Sequence, residues 1–209
     1  PGRGRIPEHD AFVAHVRAHR SLPQEMKRER RISRTEMFEI LFGPDEEAKH
    51  VAHEAFDRCY MRHFGAVHPF EPGVREMLGK LRSAPLKTGM LTNRRRALFS
   101  RELTEVDGTG WKDLFDVVVC GDDVRRRKPA AEMVLRALDE LRLTPGPEIW
   151  FVGDSTTDTI AAKEAGVTAI YYNGAKWGPG HLVRIFPGTH RPDAIAGNFA
   201  ALEALALPL

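Results

Sequence analysis

Two aspartates, four residues apart, follow a short apolar run and precede a helical pattern. The run covers residues 149–152 and continues into Gly153-Asp154-Ser155-Thr156-Thr157-Asp158. This order predicts one carboxylate at the carboxyl end of a buried strand and the other on the first turn of a helix. Open α/β sheets bind ligands at that edge, and two carboxylates with little apolar cover suit a hard cation such as Mg²⁺. A simpler interpretation is that Asp154 and Ser155 only cap the helix, since Asp and Ser are good N-caps.

Two further polar signals stand at the ends of predicted strands. Thr92 and Asn93 end an apolar run that begins at Gly89, and a helical pattern follows. A hydroxyl beside the N–H groups of a helix N-terminus suits phosphate, although an N-cap without a ligand is the commoner role of an isolated Thr-Asn pair. Lys128, before Pro129, either neutralises a phosphate and a nearby carboxylate or is solvent-exposed. Neighbouring parallel strands bring their carboxyl ends to one edge, so the three signals together favour a phosphate and metal site.

The order of predicted elements indicates an α/β fold with a parallel sheet. From residue 69 onward short apolar strands alternate with helices, the pattern of right-handed crossover connections. The strands are predicted at residues 88–92, 115–120, 149–152, 167–172 and 194–195. The helices are predicted at residues 74–82, 94–103, 129–141, 157–165 and 199–207.

The first third of the chain has a different pattern. Its apolar residues keep helical spacing and no strand signal is present. Asp45 is expected to open a long helix and Gly65 to end it. We therefore predict a small helical domain over residues 1–68 and an α/β domain over residues 69–209.

Composition and charge are those of an ordinary globular chain. The 209 residues allow one sizeable core with a small accessory lobe, and the net charge of +2 implies no polyanionic partner. Arginine clusters at 94–96 and 125–127 flank the motifs. They either bind an anionic substrate or are simply solvent-exposed. No sequence feature indicates nucleic-acid binding. The two cysteines are too few for a disulfide framework, and no apolar run approaches the roughly 20 residues that span a bilayer. The first residues lack a secretory signal, so we expect a cytoplasmic protein without a membrane partner; its oligomeric state is left open.

In this order, the three signals resemble the motifs of the haloacid dehalogenase-like hydrolase superfamily. The matching pieces are Leu91-Thr92-Asn93, Lys128-Pro129 and the segment from Gly153 to Asp158, and the tail at 191–195 is similar to the end of that fold. The resemblance covers about residues 70–207 and is greatest to the phosphoglycolate phosphatase-type branch. It implies a Rossmann-like core with an N-terminal helical cap domain.

The resemblance also implies a chemistry. The protein would be a Mg²⁺-dependent phosphomonoester hydrolase that acts on a small phosphorylated metabolite through an aspartyl-phosphate. Thr92 and the N–H of Asn93 would hold the phosphoryl oxygens, and Lys128 would offset charge on the phosphate and the nucleophile. Asp154 would bind Mg²⁺, and Asp158 would support it directly, through water or by orienting Lys128. These roles agree with the dependence of phosphoryl transfer on positioning and charge neutralisation.

The first motif of that superfamily, an apolar strand ending in Asp-x-Asp-Gly-Thr, has no counterpart before the helical domain. Val106-Asp107-Gly108-Thr109 looks similar, but it lies after the second motif and follows no apolar run, so we interpret it as a turn. No residue of this chain is therefore assigned as nucleophile or general acid/base. We expect the natural protein to begin about 10 to 25 residues upstream of Pro1, a length that holds one strand and its flanks.

Other functions stay open at this stage. One is a catalytically inactive regulatory module that keeps the phosphate and metal pockets. Others are a phosphomutase or a phosphonatase of the same superfamily. A dehalogenase is disfavoured, because Asp154 and Asp158 together imply a metal that a dehalogenase does not use.

Overall fold

The computed structural model of the protein describes residue 38 and residues 41–62, 71–108 and 110–207. The chain divides into two compact units, Pro1–His63 and Phe64–Leu209. The predicted boundary at residue 68 lies outside the described residues and stays a prediction. Cys59 and Cys120 are both free thiols, and no helix among the described residues is long and apolar enough to cross a membrane.

The first unit contains helix α1, Glu46–Met61. Its N-cap is Asp45, as predicted, whose Oδ1 accepts a hydrogen bond of 2.9 Å from the N–H of Ala48. The helix ends at Met61, and Gly65, expected to end it, lies outside the described residues.

The second unit alternates strands and helices, as the sequence predicts. Its strands are β1 Gly89–Thr92, β2 Val117–Cys120, β3 Trp150–Gly153, β4 Thr168–Tyr172 and β5 Ala194–Ala196. Its helices are α2 Val74–Ser83, α3 Arg96–Glu105, α4 Glu132–Leu141, α5 Thr156–Ala165, α6 Pro179–Ile185 and α7 Phe199–Ala206. The similar-looking segment after α3 forms a short 3₁₀ turn, Val106–Gly108, and Thr109 lies outside the described residues.

One predicted helix starts later than expected, and one helix was not predicted. Helix α4 begins at Glu132, three residues after Pro129, because the Glu132 carboxylate accepts from the N–H groups of Arg125 and Arg126 at 2.8 and 3.0 Å. That contact folds the preceding loop back on the start of the helix. Helix α6 was not predicted at all, since its Pro179-Gly180 start resembles a turn.

The strands form two parallel sheets in the described residues. One contains β1 and β2, and the other has the order β3-β4-β5. Thr92 pairs with Cys120 in the first sheet, and Gly153 pairs with Tyr171 in the second. Within the part of the chain that the structure describes, no strand pairs with the second edge of β1 or of β3. A parallel α/β fold is thus confirmed.

A shared helical layer supports both sheets. Helix α4 packs on β1 and β2, helix α5 packs on β3 and β4, and the two helices contact each other. Leu91 of β1 and Phe151 of β3 pack against the same buried cluster from these helices. A second cluster joins α2, α7, β4 and β5 around Val74, Met77 and Leu202. Strands β1 and β3 therefore border the same buried cluster.

Candidate active site

The amine of Lys128 connects elements that belong to different sheets. Nζ donates to the carbonyl of Leu91 at 2.9 Å and to Oδ1 of Asp158 at 2.8 Å, and it lies 5.4 Å from the ring centroid of Phe151. The Lys128 and Asp158 side chains are only 11% and 10% exposed. The carboxyl ends of β1 and β3 thus lie on one side, with a largely buried ion pair between them.

The local sequence explains where Asp158 lies. Ser155 is the N-cap of α5 and Asp158 is the third helical residue, so together they form a capping box. Oδ2 of Asp158 accepts from the N–H of Ser155 at 3.1 Å and from its hydroxyl at 2.6 Å. A Cβ on Gly153 would lie 2.3 Å from the Cβ of Asp158, so only glycine permits this approach. Both carboxylate oxygens of Asp158 therefore have donors within the protein.

Asp154 has a different environment from Asp158. It follows β3 and is exposed. Burial, the carboxylate of Glu71 and then the charge of Asp154 raise the pKa of Tyr172, the last residue of β4. Asp154 thus presents an exposed carboxylate beside the ends of β3 and β4. Among the described residues, no three His, Cys, Asp or Glu side chains are grouped as a metal site would need.

Thr92 is the last residue of β1, and Asn93 begins the turn that follows it. The Thr92 hydroxyl accepts from the N–H of Arg94 at 3.3 Å. Helix α3 begins at Arg96, two residues later than predicted, so Thr92 and Asn93 precede the helix. The Asn93 side chain contacts Lys128: its Nδ2 donates to the Lys128 carbonyl, and its Oδ1 accepts from the Lys128 N–H, each at 3.0 Å.

Gly121 lets the loops that follow β1 and β2 come together. Its N–H donates to the carbonyl of Arg94 at 2.8 Å, and its carbonyl accepts from Nε of Arg127 at 2.9 Å. A Cβ at this position would lie 2.3 Å from the carbonyl oxygen of Asn93. We did not single out Gly121 from the sequence, although a glycine directly after a buried strand often marks a close backbone approach.

Three arginines of the clusters beside the motifs form ion pairs within the protein. Arg94 pairs with Glu102, Arg96 with Asp123, and Arg126 with Glu132. The Arg96 guanidinium holds the pKa of Asp123 below its usual value. These three side chains thus contribute to the packing of the loops around β2.

The fold and site define a Rossmann-like α/β protein that brings an amine, a hydroxyl and two carboxylates to one edge of its sheets. Residues 11–172 match the family model of the haloacid dehalogenase-like hydrolases. The chain belongs to this family, and its relatives place it in the phosphoglycolate phosphatase-type branch.

Two phosphoglycolate phosphatases are about one-third identical to this chain over the aligned residues. A phosphoglycolate phosphatase from Salmonella paratyphi A is 33% identical over 166 residues, which are 79% of this chain and 62% of that protein. One from Yersinia pestis is 32% identical over 169 residues, which are 79% of this chain and 69% of that protein. The chain thus spans about 62% of the length of the first of these curated relatives.

Solved structures share the fold. A protein from Bacteroides fragilis, assigned as a haloacid dehalogenase-like hydrolase, has a TM-score of 0.68 at 23% identity, covering 92% of this chain and 90% of that one. CbbY from Rhodobacter sphaeroides, solved in complex with phosphate, has a TM-score of 0.58 at 22% identity, covering 80% and 71%. At these identities, the likeness supports the fold alone.

Proposed function

We propose that the intact protein is a Mg²⁺-dependent phosphomonoester hydrolase for a small phosphorylated metabolite, similar to phosphoglycolate phosphatase. One observation carries the proposal: the amine of Lys128 is held between the carbonyl of Leu91 and the carboxylate of Asp158, at the edge where Thr92 and Asp154 also lie. A fixed positive charge at such an edge suits a phosphoryl group, whose transfer depends on positioning and charge neutralisation. The family and its phosphatase relatives support the same reaction class.

Each site residue has one role in this proposal. Thr92 and the N–H of Asn93 hold phosphoryl oxygens, and Lys128 offsets the negative charge of the phosphate and the nucleophile. Asp158 orients Lys128, since both of its oxygens already accept from Lys128 or Ser155.

Asp154 is the residue that we assign to Mg²⁺. Its donor chemistry fits this ion, because Mg²⁺ prefers oxygen ligands, keeps several waters and is commonly bound by one or two carboxylates plus the substrate phosphate. The exposed carboxylate of Asp154 leaves room for those waters. The bound ion supplies positive charge that stabilises the phosphoryl oxygens.

The nucleophile is proposed to lie on a strand upstream of Pro1 that inserts between β1 and β3. The open edges of these two strands support the proposal, since unpaired backbone groups in a core are unfavourable. Their contact with one shared helical layer also supports it, as does the position of Lys128 between them. An aspartate at the carboxyl end of such a strand would lie close to the amine of Lys128.

The test is hydrolysis of p-nitrophenyl phosphate across a Mg²⁺ titration, with residues 1–209 alone and with the proposed upstream strand added. We expect Mg²⁺-dependent turnover only when the upstream strand is present. An intact protein without turnover would refute the phosphatase proposal. If it still bound inorganic phosphate and Mg²⁺, a catalytically inactive regulatory module would be the better explanation.

A further inference from the structure

The side chain of Asn93 makes two hydrogen bonds to the backbone of a single residue, Lys128. Nδ2 donates to the carbonyl and Oδ1 accepts from the N–H, each at 3.0 Å. These bonds join the turn after β1 to the loop after β2 at Lys128, the residue whose amine lies in the proposed site. We infer that Asn93 is a positioning residue whose side chain fixes the backbone of Lys128, so that the amine reaches the phosphoryl group. This inference rests on the proposed function.

Lys128 is then held at both ends of its side chain. Its amine is bonded to the Leu91 carbonyl and to Asp158, and its backbone is bonded to Asn93. A lysine has a flexible four-carbon stem, so fixing only the amine or only the backbone leaves much of its freedom. Fixing both places the charge before the substrate arrives, and such preorganisation makes an electrostatic contact effective in catalysis.

The amide of asparagine is suited to this contact. It offers one donor and one acceptor side by side, which match the carbonyl and the N–H of one residue. An ionised aspartate has the same shape but only acceptors, so it would keep the bond to the Lys128 N–H and repel the carbonyl. A protonated aspartate regains a donor, so the contact would return at low pH.

Gly121 supports the same arrangement from the other side. Its lack of a side chain lets the carbonyl of Asn93 approach, and its N–H bonds the carbonyl of Arg94 at 2.8 Å. The turn that carries Asn93 is therefore fixed against the loop that leads to Lys128. The inference assigns the Asn93 side chain to Lys128 and leaves the Asn93 N–H for the phosphate.

Asn173 offers a matched control. In the loop after β4, its Nδ2 donates to the carbonyl of Trp177 at 3.0 Å, and its Oδ1 accepts from the N–H of Trp177 at 2.9 Å. The contact has the same chemistry as the one between Asn93 and Lys128, but it involves no residue of the proposed site. Asn173→Asp therefore reports what it costs to break such a contact in itself.

The experiment compares Asn93→Ala, Asn93→Asp and Asn173→Asp with wild type in the intact protein. It measures kcat and KM for p-nitrophenyl phosphate from about pH 3.5 to 8, a range that reaches the ordinary pKa of an aspartate carboxyl, about 3.9. It also measures inhibition by inorganic phosphate and thermal unfolding. At pH 8 we expect kcat to fall at least about 10-fold in both Asn93 variants, because small misplacements of a catalytic group lower the rate steeply. Asn173→Asp is expected to keep the wild-type kcat. The kcat of Asn93→Asp relative to wild type should rise as pH falls and the carboxyl protonates, whereas the Asn93→Ala ratio should stay flat.

Several results would overturn the inference. The first is that both Asn93 variants keep the wild-type kcat and phosphate inhibition. The second is that Asn173→Asp loses as much kcat as the Asn93 variants. The third is that the ratio of the Asn93→Asp kcat to the wild-type kcat does not change with pH. A wild type without phosphatase activity would refute the proposed function instead. The contact itself would then be judged by hydrogen exchange at the Lys128 N–H: faster exchange in Asn93→Ala supports it, and unchanged exchange overturns it.

Discussion

The amine of Lys128 lies 2.8 Å from Oδ1 of Asp158, and both side chains are about nine-tenths buried. The two residues follow strands of different sheets: Lys128 comes after β2, and Asp158 comes after β3. A buried pair costs desolvation, and removing one partner leaves an uncompensated charge. This pair is therefore expected to affect both stability and activity.

Lys128→Ala is expected to lower turnover of p-nitrophenyl phosphate at least about 100-fold, in line with losing one preorganised electrostatic contact. The matched control is Lys163→Ala, since Lys163 forms a more exposed ion pair with Asp193 and such surface pairs contribute little. We expect Lys163→Ala to keep its kcat and phosphate affinity. Unchanged rate and phosphate affinity in Lys128→Ala would show that its amine has no part in the reaction.

Asp154→Asn is expected to remove most phosphatase activity and to leave thermal unfolding unchanged. Loss of the one carboxylate charge weakens a hard-cation site, whereas an exposed side chain contributes little to packing. The measurement is turnover across a Mg²⁺ titration, together with Mg²⁺ binding by calorimetry. Glu164→Gln, which removes an exposed charge from α5, is the control. Wild-type activity with the same Mg²⁺ dependence would contradict the assignment of Asp154.

Gly153→Ala is expected to destabilise the protein by about 1 to 3 kcal/mol, the usual range for overpacking. The added methyl would lie 2.3 Å from the Cβ of Asp158 and would displace the carboxylate that holds Lys128. Activity should fall with stability. Gly79→Ala in the middle of α2, where nothing lies within 4 Å of the added methyl, should instead stabilise by about 0.5 to 1 kcal/mol. Equal unfolding free energies for the two variants would argue against the close approach at Gly153.

Asp116 is expected to give stability that depends on pH. The N–H of Thr88, at 2.9 Å, and the guanidinium of Arg82, at 2.6 Å, hold the pKa of its carboxyl well below the usual range. A carboxyl whose pKa is lower in the folded state than in the unfolded state stabilises the fold fully at pH values above its unfolded-state pKa, about 3.9. This stabilisation is lost as the pH falls towards and through the folded-state pKa. Asp116→Asn should therefore lower the free energy of unfolding by roughly 1 to 3 kcal/mol at pH 7, and the difference from wild type should shrink below about pH 4. Urea unfolding at several pH values measures this difference in unfolding free energy, and Asp139→Asn, at an exposed position, is the control. A difference that stays constant down to about pH 3 would contradict the prediction.

Residues 1–209 without the proposed upstream strand are expected to be poorly folded, aggregation-prone and inactive. The open edges of β1 and β3 leave backbone N–H and C=O groups without strand partners in the described residues. Each unsatisfied buried group costs about 1 to 3 kcal/mol, against a typical domain stability of about 5 to 15 kcal/mol. Thermal unfolding with and without the restored upstream strand tests this. A 209-residue chain that unfolds cooperatively and turns over substrate would show that the sheets are completed in another way.

The sequence predicted each strand to within two residues at either end. Strands such as β4 are short apolar runs between turn formers, and this signal is local. The sequence also predicted that Thr92, Lys128 and Asp154 follow successive strands, because parallel strands bring their carboxyl ends to one edge. The capping role of Ser155 was an open alternative, and the structure combines it with the approach of Asp158 to Lys128.

The tertiary structure decided which of these residues contact each other. Asn93 and Lys128 are 35 residues apart, and their two hydrogen bonds depend on how two loops pack against Gly121. The start of α4 likewise depends on Glu132 reaching back to the loop before it. Periodicity and turn signals describe each segment alone, whereas hydrogen bonds between distant segments are set by the packing of the whole core. For that reason the sequence indicated the edge where the chemistry would lie, and only the fold showed that Lys128 is held from both ends there.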